Sequence, residues 1–396
     1  MIHNIATARP VIATPTRAAS TAPATPQTPE APVSDRVQLQ QLAPLESPKK
    51  AIDTLVSGLG YCEFPQVSPD GQTLVFNVVH DYATSQVMVV PAKGGKVKAL
   101  DTGERIKPEN VSEYLAAHEG HILEQASWAR DGKSLFFRSN EQGTFGIGQH
   151  NMADGSRQML VHNPDLNMKH PSEMPDGRIV CYGGPPSQQY PTVDQFSNLF
   201  IADPSNGAIT MLTDSTGDFA YKHPAVLGDV VVAHKEDKQA DGMADLIRLD
   251  PVTREQVKIT DTPTADERHP FHSPAVDLLV YHRKEDGDKN LVLSTPDGSR
   301  TAQLTFYGRP AQSPCWSPDG KKIYFVKKDI KQAEGEPFYA RQSEIRVMDV
   351  EKALKDLKKQ AKDQVEKLEG EGAKPELIEL ARQQLDNYSY FLRRYD

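Results

Sequence analysis

The residues best suited to chemistry in this chain are three histidines in matching settings: Lys169-His170-Pro171, Lys222-His223-Pro224 and Arg268-His269-Pro270. Three imidazoles brought to one level could hold a divalent metal of the zinc, manganese or iron type. Aligning the chain on the same proline adds Gln125 as a fourth polar member, with Phe64 and Ser313 in the remaining positions. The preceding cations, Lys169, Lys222 and Arg268, disfavour a metal ion and favour an anionic ligand or acidic peptide. A purely structural column is the third reading, in which each histidine bonds a neighbouring segment or channel water.

Other candidates are weaker. Glu285-Asp286-Gly287-Asp288, and Glu236-Asp237 with Asp241, resemble calcium loops but lack the EF-hand spacing and its closing glutamate, and read as solvated turns. His118 and His121 flank Glu119 without completing His-Glu-x-x-His, and read as a helix end. No Gly-x-Ser-x-Gly elbow is present.

The column must be positioned by the elements around it, and these repeat. Ser317-Pro318-Asp319-Gly320 joins one strand ending at Trp316 to a second beginning Ile323-Tyr324-Phe325. Proline suits the second turn position and glycine the left-handed one, and the bulky flanks suit a buried sheet. Related hairpins begin near Phe64, Gln125, His170, His223 and His269, and a period of mostly about 43 to 52 residues is that of propeller blades. A second hairpin follows each, as at Lys93-Gly94-Gly95, Ser205-Asn206-Gly207 and Pro296-Asp297-Gly298. Four strands in each of six repeats predict an all-β, six-bladed β-propeller over residues 36–350. The sixth repeat lacks a fourth strand, and residues 36–42 are expected to supply it from the other chain end, removing an exposed edge. Apolar positions at 350, 354, 357, 361, 365 and 368, then a second stripe after Pro375, predict a C-terminal α-helical hairpin over 351–396. Residues 1–35 are Ala/Thr/Pro-rich and read as a disordered tail.

With Pro314, Trp316, Ser317-Pro318-Asp319-Gly320-Lys321, Ser68-Pro69-Asp70-Gly71, Leu212-Thr213 and Leu304-Thr305, the repeats resemble the TolB-like propeller family, a WD-repeat-like architecture. The resemblance implies the six-bladed fold. Its members include the periplasmic TolB protein, the propellers of prolyl-oligopeptidase-like peptidases, and oligogalacturonate lyases with an axial metal. On this reading the chain is expected to lack both the small domain that precedes the TolB propeller and a hydrolase domain.

In such a fold the Ser-Pro-Asp-Gly turns share one face, and the second-to-third loops share the other with the blade-to-blade links. Length variation falls on the second face, at 104–121, 183–197, 235–244, 283–289 and 327–343, and long loops on a rigid scaffold gather binding residues. Tyr190, Phe196, Phe338 and Tyr339 are its aromatic anchors for a protein or peptide partner. The expected function is therefore a non-catalytic binding scaffold without a cofactor. The alternatives are a metal-dependent lyase or hydrolase at His170, His223 and His269, and a sugar- or anion-binding receptor. A net charge of −9 with no strongly basic run argues against nucleic acid, and no stretch is apolar enough to span a bilayer. Three cysteines make no disulfide framework and no secretory signal is visible at the N-terminus, which together read as cytoplasmic.

Overall fold

The computed structural model describes residues 42–81, 83–187, 196–239, 242–308, 310–328 and 342–396. It is a six-bladed β-propeller of four-stranded antiparallel sheets. The inner strands of the blades, in chain order, are β2 (Tyr61–Val67), β6 (Leu123–Trp128), β10 (Asn167–Glu173), β14 (Phe219–Leu227), β18 (Asp266–Ser273) and β22 (Ala311–Trp316). The second strands are β3 (Thr73–Val79), β7 (Ser134–Gln142), β11 (Ile179–Gly184), β15 (Val230–Asp237), β19 (Leu278–Glu285) and β23 (Lys322–Lys328). The third are β4 (Ser85–Pro91), β8 (Thr144–Asn151), β12 (Asn198–Ala202), β16 (Ala244–Leu249), β20 (Asp288–Ser294) and β24 (Ser343–Asp349). Short outer strands complete the first five blades: β5 (Lys98–Ala99), β9 (Arg157–Val161), β13 (Ile209–Met211), β17 (Gln256–Lys258) and β21 (Thr301–Gln303).

The turns between inner and second strands explain their own sequence. In Ser68-Pro69-Asp70-Gly71 the Asp70 carboxylate accepts from Ser68 Oγ at 2.5 Å and from the Gln72 backbone N–H at 2.9 Å. Gly71 takes φ 70°, a left-handed value that a side chain would strain. Ser317 and Asp319 repeat the arrangement at 2.6 Å, with Gly320 at φ 69°. Turns also touch across blades: a Cβ on Gly132 would lie 3.6 Å from Pro69, and one on Gly71 3.8 Å from Pro318.

The ring closes in the sixth blade. Its outer strand is β1 (Ile52–Val56), which pairs antiparallel with β24 in the order β1-β24-β23-β22. This corrects the assignment of that strand to residues 36–42. Residues 1–41, the expected tail included, lie outside the described residues, and Leu42 packs against Val365, Leu380 and Ala381 of the helical hairpin. Ile52 and Val56 are buried around exposed Asp53 and Thr54, which suits an outer strand with one buried face.

A short helix, α1 (Val111–Ala116), lies in the link between the first and second blades. After the last blade the chain turns at Asp349 directly into α2 (Val350–Gly370). The Asp349 side chain caps α2 by accepting from the Lys352 N–H at 3.0 Å. With α3 (Pro375–Leu392) it forms a hairpin whose apolar stripe is used against the propeller. Leu354, Leu357, Tyr388 and Phe391 share a cluster with Leu278, Trp316 and Ile323 of the last two blades. Tyr388 donates to the Gln303 carbonyl at 2.8 Å, and Tyr395 to the Gly320 carbonyl at 3.1 Å.

Close approach of backbone to backbone makes Gly183 obligatory. A Cβ on Gly183 in β11 would sit 1.7 Å from the Asn167 carbonyl oxygen of β10, so the strands would have to separate. Gly183→Ala is expected to destabilise the protein by about 1–3 kcal/mol, read as a lowered urea midpoint.

Candidate functional site at the propeller axis

The six aligned residues meet at one level. Phe64, Gln125, His170, His223, His269 and Ser313 each precede a proline or alanine within an inner strand, and each has a left-handed φ between 50° and 55°. They are six of the nine non-glycine residues with a positive φ among the described residues, so backbone strain is concentrated at the axis. The cause is a bulge. The pairing of each inner strand slips at this point, between Lys169 and Ser172 in β10 and between Arg268 and Phe271 in β18, for example. Two of the bulges are held by the preceding blade: Gln125 N–H donates to Asn77 Oδ1 at 2.9 Å, and His170 N–H donates to Gln125 Oε1 at 3.1 Å. Gln125 thus has a structural task.

The side chains fill the channel. The rings of His223 and His269 stack at 3.7 Å, and those of His170 and His223 meet edge-on at 4.3 Å. Phe64 closes the group, 4.6 Å from His170 and 5.7 Å from His269. A second layer backs them from the second strands, with His234 4.8 Å from His223, His282 5.0 Å from His269 and Tyr182 5.8 Å from His170. Each histidine of the inner ring is half-buried and otherwise enclosed by protein. Burial first, and neighbouring cations and imidazoles second, hold His170, His223, His234, His269 and His282 well below the usual imidazole value, so they are neutral at pH 7.

This arrangement does not fit a divalent metal. The rings are stacked rather than converging on a point, and among the described residues no group of three or more His, Cys, Asp or Glu side chains is placed to hold one.

The plug divides the axis into two recesses. On the turn face lies a cavity of about 500 Å³, lined by the ring, by prolines such as Pro65, Pro171 and Pro270, and by Trp128 and Trp316. Sequence reasoning assigned this face no recess. On the loop face lies a cavity of about 320 Å³ between the first, fifth and sixth blades, reaching His223 of the fourth. Its lining carries Arg268, Lys284, Lys289 and Lys328 against Glu63 and Asp266.

The three cations singled out beside the histidines behave differently from that expectation. Lys222 Nζ donates to Glu236 Oε2 at 2.9 Å, and Arg268 reaches the same oxygen at 3.4 Å while bonding Asp266 at 2.7 Å. Glu236, also bound by Lys238, is held down to about 2 by these partners despite its burial. Lys169 is buried, 5.4 Å from the Phe145 ring. The cationic mouth is completed beside Arg268 by Lys284, Lys289 and Lys328, which fall in the stretches 283–289 and 327–343 expected to be loops and stand instead on β19, β20 and β23. Strand pairing was the signal that could have found the first two. His282 stands across from Arg268, Lys284 shares its side of β19 two residues on, and Lys289 faces Lys284 from β20.

Of the aromatic anchors, Phe196 is half-buried, and Tyr190, Phe338 and Tyr339 lie outside the described residues, as does Asp241. The stretch 283–289 is not a long loop: β19 runs to Glu285 and β20 begins after the two-residue turn Asp286-Gly287. His118, an expected helix end, bonds Asp101 at 2.8 Å and the Tyr114 carbonyl at 2.8 Å. Cys62, Cys181 and Cys315 are buried, their thiols pushed up to about 12.

No protein-family model and no curated protein matches the chain. Solved structures do. A putative TolB from Agrobacterium tumefaciens is 19% identical with a TM-score of 0.50, over 66% of this chain and 87% of that one. TolB from Acinetobacter baumannii is 13% identical with a TM-score of 0.47, over 73% of this chain and 65% of that one. An oligogalacturonate lyase from Vibrio parahaemolyticus is 10% identical with a TM-score of 0.48, over 76% and 93%. The fold is that of TolB-like propellers, and likeness at this level speaks for fold alone.

Proposed function

We propose that the chain is a non-catalytic binding module whose loop face receives a protein or peptide partner that reaches into the mouth of the axial channel. The observation that carries this reading is the plug. A group entering from the loop face meets a blind floor of neutral, stacked imidazoles beneath a rim of cations, which is a seat rather than a passage. The thiols among the described residues are buried and protonated, and the stacked ring offers no converging ligand set of the kind a metal-dependent lyase or hydrolase needs.

The test compares two faces. Replacing Tyr190, Phe196, Phe338 and Tyr339 by alanine together is expected to weaken capture of partners in a pull-down at least tenfold. Arg130→Ala with His272→Ala, on the turn face, should leave capture unchanged. Retention of every partner by the fourfold variant would end the reading.

A further inference from the structure

We infer that the loop-face cavity is a binding site for an oxyanion, a carboxylate or phosphate group, seated against Lys289 and Lys284 with Arg268 and Lys328 beside it. The inference deepens the proposed function by naming the chemistry that the partner presents, and rests on it only for the partner's being a macromolecule.

Four cations and two carboxylates line this cavity, in a chain of net charge −9. Both carboxylates are already engaged. Glu63 accepts from Lys328 at 3.2 Å and Gln312 at 3.1 Å, and Asp266 accepts from Arg268 at 2.7 Å. Among the described residues the Lys289 ammonium makes no hydrogen bond or ion pair, and it stands directly opposite Lys284 across the β19–β20 pair. Like charges so placed destabilise a sheet unless a counter-charge lies between them. Independently, His282 lines the cavity, is 2% exposed, and has both ring nitrogens without a partner. Buried polar atoms left unbonded are costly, and a bound oxygen supplies the missing acceptor. Burial, Lys328 and Arg268 lower Lys289 to about 8, so an anion would draw a proton onto it.

The experiment is calorimetric titration at pH 8 and low ionic strength, with inorganic phosphate and with a hexaglutamate peptide as separate probes. Saturable binding is expected for at least one probe, with uptake of about half a proton per site when buffers of different ionisation enthalpy are compared. The probe that binds identifies the source of the oxyanion. Lys289→Met should weaken binding at least tenfold and remove the proton uptake, and Lys289→Gln serves if that variant does not fold. Binding by neither probe, or equal binding by wild type and a folded Lys289 variant, overturns the inference. Partner capture that survives in the Lys289 variants while depending on Tyr190, Phe196, Phe338 and Tyr339 would overturn it too, and would leave the proposed function standing.

Discussion

Lowering the pH from 7 to 5 is expected to remove a large part of this protein's stability. Five imidazoles at the axis, His170, His223, His234, His269 and His282, are held well below their unfolded value of about 6.5. The sign follows from proton counting. Above 6.5 neither state binds these protons and the neutral cluster is stable. Between 6.5 and the folded values, the unfolded chain takes up protons that the folded one cannot, so stability falls as pH falls. Each unmatched proton changes the folding equilibrium about tenfold per pH unit, and up to five act together. Cations from adjacent strands face the cluster, Arg138, Lys169, Lys222, Arg268, Lys289 and Lys328, and oppose protonation further. Glu236, held at about 2, acts in the same direction, but only below about 4.5, where it would protonate in the unfolded chain. Urea unfolding at pH 7, 6 and 5 checks the result, and equal midpoints at all three would refute it. His234 is fully buried with both nitrogens unpartnered. His234→Leu should therefore match or exceed wild-type stability at pH 7 and lower the pH slope by about one proton.

The second large effect concerns closure. Ile52 and Val56 are 8% and 5% exposed and belong to two different clusters, one with Met348 and Val350 and one with Ile345 and Val326. Replacing both by alanine removes the apolar contacts that hold β1 on β24. The pair is expected to cost about 4–6 kcal/mol, from roughly 2–5 for the isoleucine and somewhat less for the valine. Freed of β1, β24 becomes an unpaired edge, and the variant should associate as concentration rises. Asp53→Ala, at an exposed position of the same strand, should change stability by no more than about 0.5 kcal/mol. Sedimentation and urea unfolding of the two variants decide the matter; a monomer of wild-type stability from the double alanine variant would show that β1 does not close the ring.

Much of the scaffold was legible in residue order. Ser-Pro-Asp-Gly turns carry their own hydrogen bonds within a few residues, so they read correctly without knowledge of anything distant. The helical hairpin was equally legible, because its stripe has a period set by the helix itself, and Pro375 marks where the second helix starts. The closing strand was misplaced because its partner is far away in the chain, Ile52 pairing with Met348, and residues 36–42 and Ile52–Val56 carry comparable local patterns.

The histidine column shows the same division. Its existence follows from repeat alignment, since equal positions in equal blades must reach the axis at equal height. Its chemistry does not. Whether three imidazoles converge or stack depends on left-handed bulges in strands from separate blades, and on a phenylalanine that arrives from the first. The charges differ in the same way: Lys222 and Arg268 are visible beside the histidines, but Glu236, which neutralises them, comes from another strand. Local sequence dictates turns, strands and blade count because those depend on neighbours a few residues apart. The plugged axis and the cationic mouth at Lys289 arise only when six blades bring distant side chains within hydrogen-bond and Coulomb range, where burial and pairing reset the charge of each group.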